Sequence, residues 1–397
     1  MSTEGRFLPY GRQTIDDDDV EAVAAALRSD FLTTGPRVEE FERAFALATG
    51  AAHAVACNSG TAALHLAALS LDLGQGDAAI VPTVTFLATA NVVRMTGAEV
   101  VFADVDPDTG LITPETFAAA SERAAGTGLK PKAAFPVHLN GQLCDMPALA
   151  AIARKNGITL VEDACHALGT PAIGATRNSG IACFSTHPVK AITTGEGGCI
   201  TTADEALAER MRKLRSHGMT REANDFKNSG FAVDGETRDL HYYEMHEFGW
   251  NYRLPDILCA LGTSQLAKLD RFWRRRCEIA ALYGRLLASL APALRPVRND
   301  GRPHGWHLYA ILVDFTSIGT SRVRYMAALR ADGIGTQVHY IPVHRQPYYR
   351  NRYGEIVLPG AEAYYMRCLS IPIFPSMIDA DVERVAEALA RHIGVRP

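Results

Sequence analysis

From about residue 15 to 255, short apolar runs alternate with stretches of helical period. Ala54-Val55-Ala56-Cys57, Ala79-Ile80-Val81, Val100-Val101-Phe102, Ala133-Ala134-Phe135-Pro136-Val137 and Ile158-Thr159-Leu160-Val161 have the length and composition of buried strands. Thr61 to about Leu71 reads as a helix between the first two. Asp16 to Asp19 open an earlier helix whose acidic first turn suits its dipole, with Val20, Val23, Ala24 and Leu27 along one face. Apolar strands alternating with helices predict an α/β fold with a mainly parallel sheet covered on both faces.

The later part of the chain has a different texture. Residues 221–248, rich in Asn, Asp, Gly and Tyr, read as a long polar surface excursion. The run Arg271-Phe272-Trp273-Arg274-Arg275-Arg276 reads as a solvated helix face or a domain connection. Tyr309-Ala310-Ile311-Leu312-Val313 and Thr336-Gln337-Val338-His339-Tyr340 are strand-like, and a helix from Asp379 to Ile393 closes the chain. The division expected is an N-terminal arm and large domain over 1–255, then a linking helix and smaller α+β domain over 256–397.

With 47% hydrophobic and 21% charged residues, the composition is that of an ordinary globular enzyme. A net charge of -4 gives no reason to expect nucleic acid or an anionic membrane as partner. No apolar stretch approaches transmembrane length, and no signal peptide is evident. The eight cysteines are scattered without a C-x-x-C pair, so neither a disulfide framework nor a zinc site is expected, and a reducing cytoplasm fits.

Chemistry enters with Lys190. It lies in Phe184-Ser185-Thr186-His187-Pro188-Val189-Lys190, with no other Lys or Arg between Arg177 and Arg210. Burial disfavours the charged form of an amine, and a neutral lysine can condense with an aldehyde as a Schiff base. Asn58-Ser59-Gly60-Thr61 places a glycine turn between a strand and a helix, which suits a phosphate but by itself is more often a plain N-cap at Ser59 or Thr61. At the end of the Ile158 strand, Asp163 could hold a pyridine nitrogen protonated or cap the next helix; by alternation Glu162 points the other way. His166 could touch the same ring or be an interior histidine, and Phe86 could stack on a cofactor or pack in the core. His241 and His246 lack a matched acid partner, so no metal site is expected. No nucleophile elbow appears.

Asn-Ser-Gly-Thr (58–61), Glu-Asp-Ala-Cys-His (162–166), Phe-Ser-Thr-His-Pro-Val-Lys (184–190), Glu-Gly-Gly (196–198) and Gly-Trp-Asn-Tyr-Arg (249–253) together resemble the fold type I aminotransferases that use pyridoxal 5'-phosphate (PLP). More narrowly they resemble the family that aminates keto sugars attached to nucleotides. A likeness to its pseudaminic-acid-pathway branch is carried by residues 29–35, 187–194, 215–219 and 337–340. The resemblance implies that Lys190 bonds PLP and Asp163 pairs with the pyridine nitrogen. Phe86 would stack on the ring, and His166 would lie near its phenolic oxygen. Gly60, Thr61 and Ser185 would take the phosphate, with Asn251 reaching that of a partner subunit in a homodimer. Tyr10, Asp30, Phe31, Leu32, Thr33, His187, Gln337, Val338, His339 and Tyr340 would line the sugar-nucleotide end. The implied reaction moves an amino group from L-glutamate to C4 of a UDP-linked 4-keto-6-deoxy-N-acetyl hexosamine. The C5 epimer, UDP versus dTDP, and C3 versus C4 stay open. A sugar dehydratase is disfavoured because its relatives carry histidine where Lys190 stands, and a non-catalytic PLP-binding regulator would need a partner module that is not visible.

Overall fold

A computed structural model describes residues 6–171, 173–228, 230, 232–234 and 237–394. Seven strands form the main sheet: β1 (His53–Cys57), β2 (Asp77–Pro82), β3 (Glu99–Ala103), β4 (Lys130–Ala134), β5 (Thr159–Asp163), β6 (Ile181–Ser185) and β7 (Gly198–Thr202). Their order is β1-β7-β6-β5-β4-β2-β3, parallel except that β7 runs antiparallel to both its neighbours. The α/β class expected from the pattern is the class observed. The pattern did not single out β6 or β7, whose Gly, Ser and Thr ends dilute their apolar centres. They matter most, because Lys190 lies on the connection between them.

Helices α1 (Asp17–Leu27), α2 (Pro36–Thr49), α3 (Gly60–Ser70), α4 (Leu87–Met95), α5 (Pro114–Gly126), α6 (Met146–Asn156), α7 (Glu205–Leu214) and α8 (Asp256–Leu266) surround this sheet. Of the apolar residues expected along one face of α1, Val23 and Ala24 are half-buried, whereas Val20 is 59% and Leu27 56% exposed. Charge does the anchoring instead. Lys268 Nζ lies 2.7 Å from Asp18 and 2.8 Å from Asp19, and the buried Asp19 also accepts from Ser264 and Gln265. Two desolvated hydrogen bonds and a paired cation thus hold a helix that propensity alone would leave marginal.

The 221–248 stretch is more ordered than a polar loop. After β8 (Met219–Thr220) come the short pair β9 (Val233–Asp234) and β10 (Thr237–Arg238), and β11 (Glu244–Met245) pairs back onto β8. The buried Glu244 carboxylate accepts from Lys227 N, Asn228 N, Tyr242 Oη and His246 Nε2. Both histidines of this stretch therefore have an acid partner, His241 with Asp239 and His246 with Glu244, contrary to expectation. Among the described residues, no group of three or more His, Cys, Asp or Glu is placed to hold a metal, and no helix is long and apolar enough to cross a membrane. All eight cysteines are free.

The long α9 (Leu269–Leu286) leads to a second sheet of β12 (Leu294–Pro296), β13 (Tyr309–Val313) and β14 (Cys368–Ile371), flanked by α10 (Arg322–Ala331), α11 (Pro347–Tyr353), α12 (Pro359–Arg367) and α13 (Asp379–His392). Leu8 bridges to Ile334 and enters the core beneath this sheet with Ile279, Tyr283, Ile311 and Leu389. Residues 336–340 are not a strand. They pair with β14 only at Gln337–Ser370, after which the His339 side chain turns in to hydrogen-bond Ser370 Oγ at 2.8 Å.

Within the run read as a solvated helix face or a domain connection, Arg271 and Arg274 are exposed but Arg276 is not. It is 1% exposed, and its Nη1 donates to the carbonyls of Trp306, His307 and Ile373 at 3.1, 3.2 and 3.0 Å. Burial pulls its pKa down to about 10, so it stays charged at neutral pH. Arg276→Ala should cost roughly 3 kcal/mol, because three buried carbonyls lose their donor. The check is the urea midpoint at unchanged m-value; an unmoved midpoint would contradict this role.

Candidate active site

The β6–β7 connection is closed on itself before it offers Lys190. Thr186 N donates to Gly197 O at 2.9 Å, Thr194 N to Thr186 O at 2.9 Å, and the two threonine hydroxyls meet at 2.6 Å. The resulting loop holds the half-buried Lys190 at its tip. Among the described residues its amine makes no hydrogen bond or ion pair. Burial lowers the Lys190 pKa, and the Cys165 and Asp163 groups oppose that only in part.

The glycine turn at 58–61 lies directly beside this loop. Ser59 caps α3 by accepting from Ala62 N at 3.0 Å, and the Gly60 and Thr61 N–H groups have no partner among the described residues. A β-carbon at Gly60 would stand 2.8 Å from Ser185 Cβ, and one at Gly198 would overlap the Ser59 carbonyl. Both glycines are therefore demanded by close approach: the α3 N-terminus, the end of β6 and the start of β7 share one small space. Two free N–H groups, a positive helix end and the Ser185 hydroxyl converge there, as an anion requires.

At the end of β5 the alternation works as anticipated. Glu162 points to one face, where it accepts from His138 Nε2 at 2.8 Å and from Ser179 Oγ. Although burial raises its pKa, these donors hold it below the usual value. Asp163 points to the other face. Its Oδ2 accepts from Thr89 Oγ1 at 2.7 Å, Thr89 is joined to Thr85 at 2.8 Å, and Oδ1 accepts from Cys165 N at 3.2 Å. The paired threonines, four residues apart after β2, were missed in the sequence; their spacing at a helix start was the one available signal.

Around these groups stand three histidines. His166 Nδ1 accepts from Asn140 N at 3.3 Å, its Nε2 lies 3.2 Å from Tyr340 Oη, and the His307 ring centroid is 4.4 Å from its own. His307, 141 residues from His166 in the chain, had no local signature. Burial keeps all three neutral, with help from the nearby Lys190: His166 and His307 fall well below the usual imidazole range, and His339 to about 3. Burial likewise pushes the Tyr340 phenol and the Cys165 thiol up.

The other expected residues divide into those brought together and those left apart. Phe86 is the N-cap of α4 and 56% exposed, with its ring 6.0 Å from Tyr340, so it is a free aromatic face rather than core. Tyr10 lies 5.3 Å from the His339 ring. His187 is exposed one turn before Lys190, whose N–H donates to its carbonyl at 2.8 Å. Gln337 is exposed and Val338 half-buried, beside His339. Asp30, Phe31, Leu32 and Thr33 are exposed in the turn between α1 and α2, and no described contact joins them to Lys190. Asn251 is exposed, and its carbonyl accepts from Asn58 Nδ2 at 3.3 Å on the flank of the glycine turn.

These residues fit PLP: an unpaired lysine amine, a carboxylate fixed by two donors, an open anion cradle and an exposed aromatic face. The buried histidines also make a pH prediction. Unfolded histidine takes up a proton below its ordinary pKa near 6.5, while these three stay neutral when folded. Stability should therefore fall as pH drops below that value, by roughly 2 kcal/mol per histidine between pH 6.5 and 5. Urea unfolding across that range checks it; a flat profile would mean that the histidines are charged in the fold.

Residues 13–390 match the DegT/DnrJ/EryC1/StrS aminotransferase family. The chain is 41% identical over 398 residues to the spore coat polysaccharide biosynthesis protein SpsC of Bacillus subtilis (strain 168), covering 98% of each. Among solved structures it is similar to Helicobacter pylori PseC, an aminotransferase involved in the biosynthesis of pseudoaminic acid, with TM-score 0.87 and 28% identity over 98% of this chain and 100% of that one. Spr1654 from Streptococcus pneumoniae, known in PLP and PMP forms, superposes with TM-score 0.85 at 25% and 26% identity, covering 98% of this chain and 99% of that one. The chain thus belongs to the DegT/DnrJ/EryC1/StrS family and is a PLP-dependent sugar aminotransferase.

Proposed function

We propose that the enzyme transfers the amino group of L-glutamate to C4 of a UDP-linked 4-keto-6-deoxy-N-acetyl hexosamine, as in pseudaminic acid synthesis, with Lys190 as the bonding and proton-moving residue. The observation that carries the reading is the Lys190 amine, half-buried and unpaired between an anion cradle and Asp163. When bound, PLP supplies an aldehyde for amines and a ring that draws electrons from the bond being broken.

The chain's own residues do the rest. Gly60 N, Thr61 N and Ser185 Oγ bind the phosphate, and Phe86 covers one face of the ring. Asp163 holds a proton on the ring nitrogen, kept in line by Thr89 and the Cys165 N–H. With its pKa lowered, Lys190 Nζ takes the proton from Cα of the donor, and in the return half delivers one to C4 of the sugar. Donor and acceptor use one pocket in turn. Asn251, exposed beside the phosphate turn, serves the partner's phosphate, so we take the working unit as a homodimer. The exposed Asp30–Thr33 turn and Gln337, with Tyr10 and His187, meet the nucleotide sugar. The likeness to PseC and SpsC supports a polysaccharide-precursor sugar without deciding between UDP and dTDP.

Lys190→Ala should lower turnover by at least about a thousandfold while PLP is still retained, since proton transfer and covalent attachment are lost together. Substantial remaining activity would remove Lys190 from its role. Wild-type initial rates should give parallel double-reciprocal lines for the two substrates, and intersecting lines would exclude the shared pocket. In absorbance, L-glutamate should bleach the visible band of the PLP enzyme, and UDP-2-acetamido-2,6-dideoxy-β-L-arabino-hexos-4-ulose should restore it. Bleaching without restoration by this sugar would assign the enzyme to another keto sugar.

A further inference from the structure

Tyr340 stands at the cofactor end of the site rather than at the sugar end. Its ring lies 6.0 Å from Phe86, its hydroxyl oxygen is 3.2 Å from His166 Nε2, and the Asp163 and Cys165 groups both act on its phenol electrostatically. The direction of its hydrogen bond is decided one residue further back. The Asn140 N–H meets His166 Nδ1 at 3.3 Å. A peptide N–H only donates, so Nδ1 is the bare nitrogen and Nε2 carries the hydrogen. Nε2–H therefore donates to the Tyr340 oxygen, and the proton of the phenol itself is left for another acceptor.

The turn that presents the Asn140 N–H is held from several sides. Asn140 is buried at φ 63°, in the left-handed region. Its Nδ2 donates to Tyr364 Oη at 3.2 Å, its carbonyl accepts from Leu308 N at 3.2 Å, and the next carbonyl, of Gly141, accepts from Gly305 N at 2.8 Å. A buried non-glycine residue at positive φ persists where its surroundings over-determine it, and such places gather at functional sites.

We propose that Tyr340 donates its phenolic proton to the phenolic oxygen of bound PLP, and that His166, fixed as its Nε2–H form by the Asn140 peptide, acts through Tyr340 as a positioning residue. This moves Tyr340 from the sugar end to the cofactor end, and it rests on the PLP-site reading above.

Nitrogen-15 spectra of histidine-labelled apoprotein, with the His166 signal assigned through His166→Gln, should show a bare Nδ1 and a protonated Nε2 between about pH 6 and 8. A protonated Nδ1 overturns the proposal. Tyr340→Phe should bind PLP about tenfold more weakly, the loss of one hydrogen bond, and should shift the pH midpoint of the bound cofactor's visible band. His166→Gln keeps an N–H near the place of Nε2, whereas His166→Asn does not, so Gln should disturb both quantities less. Unchanged affinity and midpoint in Tyr340→Phe overturn the proposal while leaving the PLP-site reading intact. Wild-type protein that forms no visible band with PLP sinks that reading and this inference together.

Discussion

An amine acts as a base only in its uncharged form, and the surroundings of Lys190 shift its balance toward that form. Burial lowers its pKa, and among the described residues no carboxylate forms an ion pair with it. The one nearby acid, Asp163, has both oxygens engaged, by Thr89 and by the Cys165 N–H. Burial lowers the pKa of the histidines that crowd the site as it does that of the lysine, because a low-dielectric environment disfavours every charge that is not specifically compensated.

Keeping charges apart is the second task, and the end of β5 performs it. Two adjacent carboxylates would repel each other in one pocket, but a strand sends successive side chains to opposite faces. Glu162 goes to His138 and Ser179, and Asp163 to the site. Two histidines flanking this strand end are oriented by one device. The Cys144 N–H is 3.1 Å from His138 Nδ1, as the Asn140 N–H is 3.3 Å from His166 Nδ1, so each ring offers an Nε2 hydrogen, to Glu162 and to Tyr340 respectively. One buried turn, 138–144, thus sets the hydrogen-bonding roles on both faces of β5.

The smaller sheet contributes by position more than by charge. Arg276 binds the carbonyls of Trp306, His307 and Ile373, which holds the 306–307 segment, and with it the His307 ring, against His166. The same sheet anchors Gln337 through Ser370, so that His339 and Tyr340 face the site. Contacts from α9, β14 and the 138–144 turn therefore position His307, His339 and His166 respectively.

Sequence alone determined the features that are local. Apolar runs predicted five of the seven strands of the main sheet, the glycine turn at Gly60 marked a helix start, and strand alternation separated Asp163 from Glu162. Each depends on neighbours a few residues apart, so spacing and residue type carry the information. Other features were decided only by the tertiary structure. Val20 and Leu27 shared a face with Val23 and Ala24 in the pattern, but they are exposed, and the anchor of α1 proved to be Lys268, 250 residues from Asp18, with the buried Asp19. Arg276 looked solvated because its acceptors are carbonyls, which leave no mark on a sequence. Thr89, Asn140 and His307 entered the site because the fold brings distant segments together. Hydrogen-bond partners and desolvation are properties of an assembled environment, and no residue carries them by itself.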